Sequence, residues 1–157
     1  MQITSPCEVS GFNVPGASTN GVHVTDACLD VADVYDFYVH GCGKDNITDN
    51  ILIHGVARLT DFESTYAGVK NVLASGLSAS CACIRGIATH GWSGGFYAFA
   101  GATMRCDFCI ARDNGREEHD DDSGFNAHDG AANNLTLYHC TSAGNYGRGI
   151  SLSVLLS

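Results

Sequence analysis

The chain has 157 residues, 45% of them apolar, and a formal net charge of −9 at neutral pH. That length suits one domain with a substantial core and is short for two, and the apolar content excludes a disordered polymer. The acidic balance argues against a nucleic-acid backbone as partner, because phosphates need a basic surface, and no run of ~18 apolar residues predicts a membrane span.

Nineteen Gly stand beside only two Pro. Such a composition fits many tight corners between short strands, because Gly takes positive φ cheaply and weakens helix interiors. The opening Met1–Pro6 segment has no basic stretch leading into an apolar core, so no signal peptide is expected. The first strand-like segment is Gly21-Val22-His23-Val24, followed by Asp36-Phe37-Tyr38-Val39, a corner at Gly43-Lys44-Asp45-Asn46, and Asn50-Ile51-Leu52-Ile53. The Gly-apolar pattern returns weakly at Gly68-Val69-Lys70-Asn71 and strongly at Gly95-Phe96-Tyr97-Ala98, Gly124-Phe125-Asn126-Ala127 and Gly149-Ile150-Ser151-Leu152. Successive glycines are 47, 27, 29 and 25 residues apart, and the longest interval suggests a degenerate copy near 41–53. A second alternating run, Met104–Phe108, recurs 31 residues later as Leu135–His139. Polar corners at Arg112-Asp113-Asn114-Gly115 and Ser142-Ala143-Gly144-Asn145 separate these runs.

A period in the twenties is that of one coil of a solenoid and is too short for a βαβ crossover. One coil cannot bury its own inward face, whereas stacked coils bury a continuous stripe of Val, Ile, Phe, Leu and Cys. The expected fold is therefore all-β: a parallel β-helix of about five to six coils across residues 1–157, with an acidic insertion at about 112–123. The segments Cys109–Gly115 and Asp122–Gly130 resemble coils of the right-handed parallel β-helix superfamily, which includes pectate-lyase-like enzymes and phage tailspike-like depolymerases. The resemblance is one of repeat style and is clearest over 66–153. It implies a right-handed coil, an extracellular or virion-associated setting, and a polysaccharide or surface glycan as partner. The members include polysaccharide lyases, glycoside hydrolases, epimerases and non-catalytic binding or structural spikes, so the reaction is left open. No amphipathic capping helix is evident, which points to a homo-oligomer or a longer parent chain.

Within that framework the densest acidic stretch, Glu117-Glu118-His119-Asp120-Asp121-Asp122, interrupts the repeat and is expected to project as a loop. Crowded carboxylates raise some of one another's pKa values, and they also make a hard-oxygen site for Ca²⁺. Glycoside hydrolysis needs two carboxyls, and lyase chemistry needs a base with a cation to neutralise a uronate. Asp113, Glu117, Glu118, Asp120, Asp121, Asp122 and His128 are thus the candidate catalytic groups. Arg112, Arg116, Asn126 and Tyr138 are the candidate substrate contacts. The alternative is a solvated acidic loop. Tyr97, Tyr146 and Trp92 are further aromatic candidates for stacking on a sugar, with core packing as the competing reading.

Gly91-Trp92-Ser93-Gly94-Gly95 matches G-x-S-x-G, the nucleophile elbow of esterase-like α/β-hydrolases. That chemistry needs a strand before the serine and a helix after it, yet an alternating segment follows, so Ser93 is expected at a corner. The eight cysteines allow a disulfide framework, or a zinc site built from Cys81, Cys83, Cys106 and Cys109. Their apolar neighbours favour small buried side chains instead, with Cys109 and Cys140 stacked in one ladder. If 106–110 were one straight strand, Cys106 and Cys109 would face opposite ways.

Overall fold

The computed structural model describes residues 1–42, 48–115, 122–128 and 133–152. In chain order its strands begin with β1 (Gln2–Ile3), β2 (Glu8–Pro15), β3 (Val22–Val24), β4 (Ala32–His40), β5 (Ile51–Ile53), β6 (Val56–Thr65), β7 (Lys70–Ser75) and β8 (Ser80–Thr89). They continue with β9 (Gly94–Phe99), β10 (Thr103–Asp107), β11 (Ile110–Arg112), β12 (Ser123–His128), β13 (Asn134–Tyr138), β14 (Thr141–Ala143) and β15 (Arg148–Leu152). The described residues contain no helix. One sheet runs β1-β3-β5-β7-β9-β12-β15, and the other β13-β10-β8-β6-β4-β2, with β11 joining β8 to β14. Every pairing is parallel, so the chain winds through about five turns of a parallel β-solenoid. Phe125 pairs with both Phe96 and Ile150, which makes neighbours of the segments that start at Gly95, Gly124 and Gly149.

The long strands of the second sheet bend because one residue in each turns left-handed. Gly11, Asp36, Asp61, Arg85, Phe108 and His139 all have φ between 50° and 66°. Five positions further on, Gly16, Gly41, Tyr66, His90, Asp113 and Gly144 repeat that conformation. A left-handed residue resets the alternation of faces, so Phe12, Phe37 and Phe62 pair in register on the inner side directly after it. The same bend at Phe108 sends Cys106 and Cys109 both inward, where each is fully buried. The straight-strand expectation of opposite faces fails for that reason.

Inside, like residues stack on like. Phe12, Phe37 and Phe62 stack with ring centroids 5.1 and 5.3 Å apart, and Phe96 stacks on Phe125 at 5.1 Å. Six of the eight cysteines are buried and none is disulfide-bonded. Cys109 donates to Cys83 O and Cys140 to Cys106 O, one coil apart in the expected ladder. The Cys81, Cys83 and Cys106 thiols are pushed well up, each first by contact with the next thiol and also by burial. Protonated core thiols are poor metal ligands, and no group of three or more His, Cys, Asp or Glu among the described residues is placed to share an ion.

A ladder of asparagines, buried at Asn50, Asn71 and Asn114 and half-buried at Asn145, satisfies the corner that leads into the first sheet. Asn50 Nδ2 reaches Asn71 Oδ1 at 3.3 Å, Asn71 Nδ2 reaches Asn114 Oδ1 at 2.9 Å, and Asn114 Nδ2 reaches Asn145 Oδ1 at 2.9 Å. The same amides bind turn backbone, as in Asn114 Nδ2 to Ala88 O at 3.0 Å and Gly91 N to Asn114 Oδ1 at 3.0 Å. The close packing around this ladder explains the repeated glycine: a Cβ at Gly95 would lie 2.5 Å from Gly124 O and 3.2 Å from Asn114 Nδ2, and one at Gly124 would lie 2.3 Å from Ser142 Oγ and 2.7 Å from Asn145 Nδ2. It also corrects one repeat: Val72 pairs with Phe96, so Asn71, and not Gly68, is the structural partner of Gly95.

Candidate functional site

The residues bracketing the acidic insertion divide between two parts of the surface. Arg112 ends β11 and is exposed, as is Asp113, whose N–H donates to Ala143 O at 3.1 Å. The ends of the insertion meet: a Cβ at Gly115 would lie 3.0 Å from both Asp122 Cβ and Tyr146 Cβ. Arg116, Glu117, Glu118, Asp120 and Asp121 lie outside the described residues, as does His119, so the Ca²⁺ expectation that rests on them does too.

Asp122 and Asn126 are brought together with Tyr97 on the side of the first sheet that points away from the core. Asn126 is fully buried and pairs in register with Tyr97 and Ser151. The Tyr97 ring folds back over Gly94, where a Cβ would lie 2.1 Å from Cε2. Its hydroxyl reaches Ser93 O and Ser123 Oγ, each at 3.2 Å, and Lys70 Nζ sits 5.0 Å from the ring centroid. Burial raises the Tyr97 phenol, hydrogen bonds to Ser123 and Asn126 oppose that shift, and the Asp122 charge adds to it. The phenol is therefore a hydrogen-bond donor at neutral pH, and burial of the residue to 2% exposure favours the packing reading of Tyr97 over sugar stacking. His128 is half-buried at the end of β12. Ser93 precedes a strand, β9, so the helix that a nucleophile elbow requires is not there. The esterase reading falls with it.

A second region escaped the sequence reading. An open groove of about 670 Å³ follows the first left-handed ladder along the outside of the second sheet. Asp36, Asp61 and Arg85 occupy the ladder itself, and Tyr38 and Glu63, paired in register, stand beside it. The half-buried Phe12 and the buried Phe37 and Phe62 form its base. Arg85 grips Asp61 with two bonds, Nε–Oδ1 at 2.6 Å and Nη2–Oδ2 at 2.7 Å, and thereby holds the Asp61 carboxyl below its usual range. Among the described residues Asp36 and Glu63 make no ion pair. Tyr38 is fixed by its hydroxyl, 3.1 Å from Thr65 Oγ1, and by stacking on His40 at 5.0 Å.

The signal that could have revealed this groove is the 25-residue recurrence of Gly11-Phe12, Asp36-Phe37 and Asp61-Phe62. The more conspicuous glycine repeat belongs to the other sheet and does not mark this groove. Tyr138, the remaining predicted contact, lies on the same strip as the groove, exposed at the end of β13 beside Phe108 and His139. It is remote in register from Asp122 and Asn126. Fold and surface together define a parallel β-solenoid with an outer groove that sets charged side chains over an aromatic base. Comparison with protein-family models, curated proteins and solved structures finds no match.

Proposed function

We propose that this solenoid is a carbohydrate-directed protein that holds a glycan chain in the groove beside Asp36, Asp61, Glu63 and Arg85. The supporting observation is the combination in that groove of carboxylates, an amide and a phenol above an aromatic base. Hydroxyl-rich ligands need several fixed donors and acceptors, and their C–H faces favour aromatic or apolar ground. The groove is open along the stacking axis, and coils follow one another at ≈ 4.7–4.9 Å, so it suits a polymer better than an enclosed small molecule.

Charge narrows the ligand class. Among the described residues the one cation lining the groove, Arg85, is already committed to Asp61, and a polyuronate would meet uncompensated carboxylates. A neutral or amino-bearing glycan, including one on a cell or virion target, fits better. The second reading is catalytic: Asp36 and Glu63, free of ion pairs among the described residues, supply the two carboxyls that a glycoside hydrolase requires. Lyase or epimerase chemistry would instead draw on the acidic insertion.

The test is a panel of neutral, amino-bearing and uronate polysaccharides, with and without calcium. Affinity electrophoresis reads binding, new reducing ends read hydrolysis, and absorbance of the unsaturated product reads elimination. Retention on neutral or amino-bearing members, weakened by Asp36→Asn and Tyr38→Ala, is expected. Retention by no member, or by polyuronate alone, overturns the reading.

A further inference from the structure

The left-handed ladder continues beyond Arg85 to Phe108 and His139, and there its chemistry changes. Equivalent positions in earlier coils hold Gly11, Asp36, Asp61 and Arg85, residues that either tolerate positive φ or carry charge into water. Phe108 does neither. It takes φ 57° and leaves 54% of its surface exposed. A bulky residue at positive φ is a steric outlier, and an exposed aromatic ring gains little from folding. Its backbone is held in place, with Phe108 N donating to Tyr138 O at 2.8 Å. The ring stacks on His139 at 5.2 Å and meets the edge of Tyr138 at 5.7 Å, and Tyr138 is itself 54% exposed. The result is a fixed aromatic platform on the same ladder as the groove. A comparable stack, Tyr66 on His90 at 4.7 Å, belongs to the other ladder.

We propose that Phe108, Tyr138 and His139 form a stacking subsite for a pyranose ring, extending the groove beyond Arg85. The inference rests on the glycan reading of that groove and adds where a longer chain makes its further contact. The exposed Phe108 and Tyr138 surfaces offer apolar ground for the C–H face of a sugar, and the Tyr138 hydroxyl and His139 nitrogens offer polar contacts at its rim. The occupant is a neutral sugar unit of the chain whose preceding units lie against Asp61 and Arg85.

The test uses the full chain and oligosaccharides of increasing length, cut from whichever panel polysaccharide the wild type retains, with calorimetry for affinity and thermal melts for stability. Phe108→Gly removes the ring and also relieves the positive φ, because glycine adopts it without steric cost. The expected result is an unchanged or raised Tm, an about five- to tenfold loss of affinity for long oligosaccharides, and no change for the shortest. Tyr138→Ala should give a smaller loss with the same length dependence. Unchanged affinity at every length overturns the subsite while leaving the groove reading intact. An equal loss at all lengths with a lowered Tm also overturns it, since the ring would then be structural. A wild type that retains no polysaccharide removes the groove reading and the subsite together.

Discussion

The two halves of the solenoid fill the same cross-section from opposite sides. In the N-terminal coils the aromatic stack Phe12–Phe37–Phe62 comes from the second sheet and faces Val22, Ile51 and Val72 of the first. In the C-terminal coils Phe96 and Phe125 come from the first sheet, and the second contributes Gly86, Cys109 and Cys140. The handover is local: Phe62 meets Phe96 edge-on at 6.2 Å, and a Cβ at Gly86 would lie 2.3 Å from Phe62 Cζ. The asparagine ladder changes source at the same level. Asn50 and Asn71 stand at the entry to β5 and within β7, whereas Asn114 and Asn145 stand at the preceding corner. Between them lie Gly91 and Gly95, and a Cβ at Gly91 would lie 2.7 Å from Asn71 Nδ2. The glycine-rich stretch that resembles a hydrolase elbow is thus the coil where both ladders change sides. Volume and polar satisfaction are conserved between coils, and the chain position that supplies them is not.

The comparison can be broken most forcefully at its junction. Phe62→Ala removes the ring shared by both halves and should cost about 3–5 kcal/mol, measured as the shift in the urea midpoint. A cost similar to that of an exposed-site control would deny the handover. Asn114→Ala leaves the Gly91 N–H and the Ala88 carbonyl without their amide partner, at about 2–3 kcal/mol. Hydrogen exchange should then rise in β11, β12 and β14 before it rises in β4 and β6, since the asparagine belongs to the C-terminal arrangement.

Gly86→Ala sharpens the same comparison with a smaller effect, about 1–3 kcal/mol from overpacking against Phe62. The penalty should shrink in a Phe62→Leu background, and a cycle with additive costs would show that the two residues do not share space.

The mildest effect distinguishes the N-terminal end. His23 Nε2 lies 3.2 Å from His54 Nδ1, and burial, then the His54 charge, lowers the His23 pKa, against a smaller opposing pull from Asp26. The unfolded chain then binds the extra proton more readily than the folded one. Stability from this group is full above the unfolded value near 6.5 and falls as pH drops below it, levelling off once the folded His23 also protonates. Melts between about pH 7.5 and about pH 5 should show this acid limb in the wild type and lose it in His23→Gln. Exchange rising first in β1, β3 and β5 would place it in the N-terminal coils.

Much of the architecture was legible from periodicity. Gly95, Gly124 and Gly149 marked successive rungs of one sheet, and Met104–Phe108 with Leu135–His139 marked the other at its observed 31-residue offset. Gly68 misled because asparagine replaces glycine in that rung, and a reading keyed to one residue type cannot see an exchange between a corner and a strand. The candidate site was less legible. Asp122 and Asn126 do gather around Tyr97, but Arg112, Asp113 and Tyr138 belong to other faces, and the groove residues Asp36, Asp61, Glu63 and Arg85 were not anticipated. Nothing local marks Asp36 or Asp61 as neighbours, because they meet only when coils stack in register.

The amino-acid sequence alone determined that this chain coils: alternating apolar runs broken by Gly, Asn and Asp at a period in the twenties have no other way to bury their inward faces. Tertiary structure alone decided which residues share a surface. A left-handed residue in each long strand resets which side chains face out, and the register between coils then aligns positions far apart in the chain.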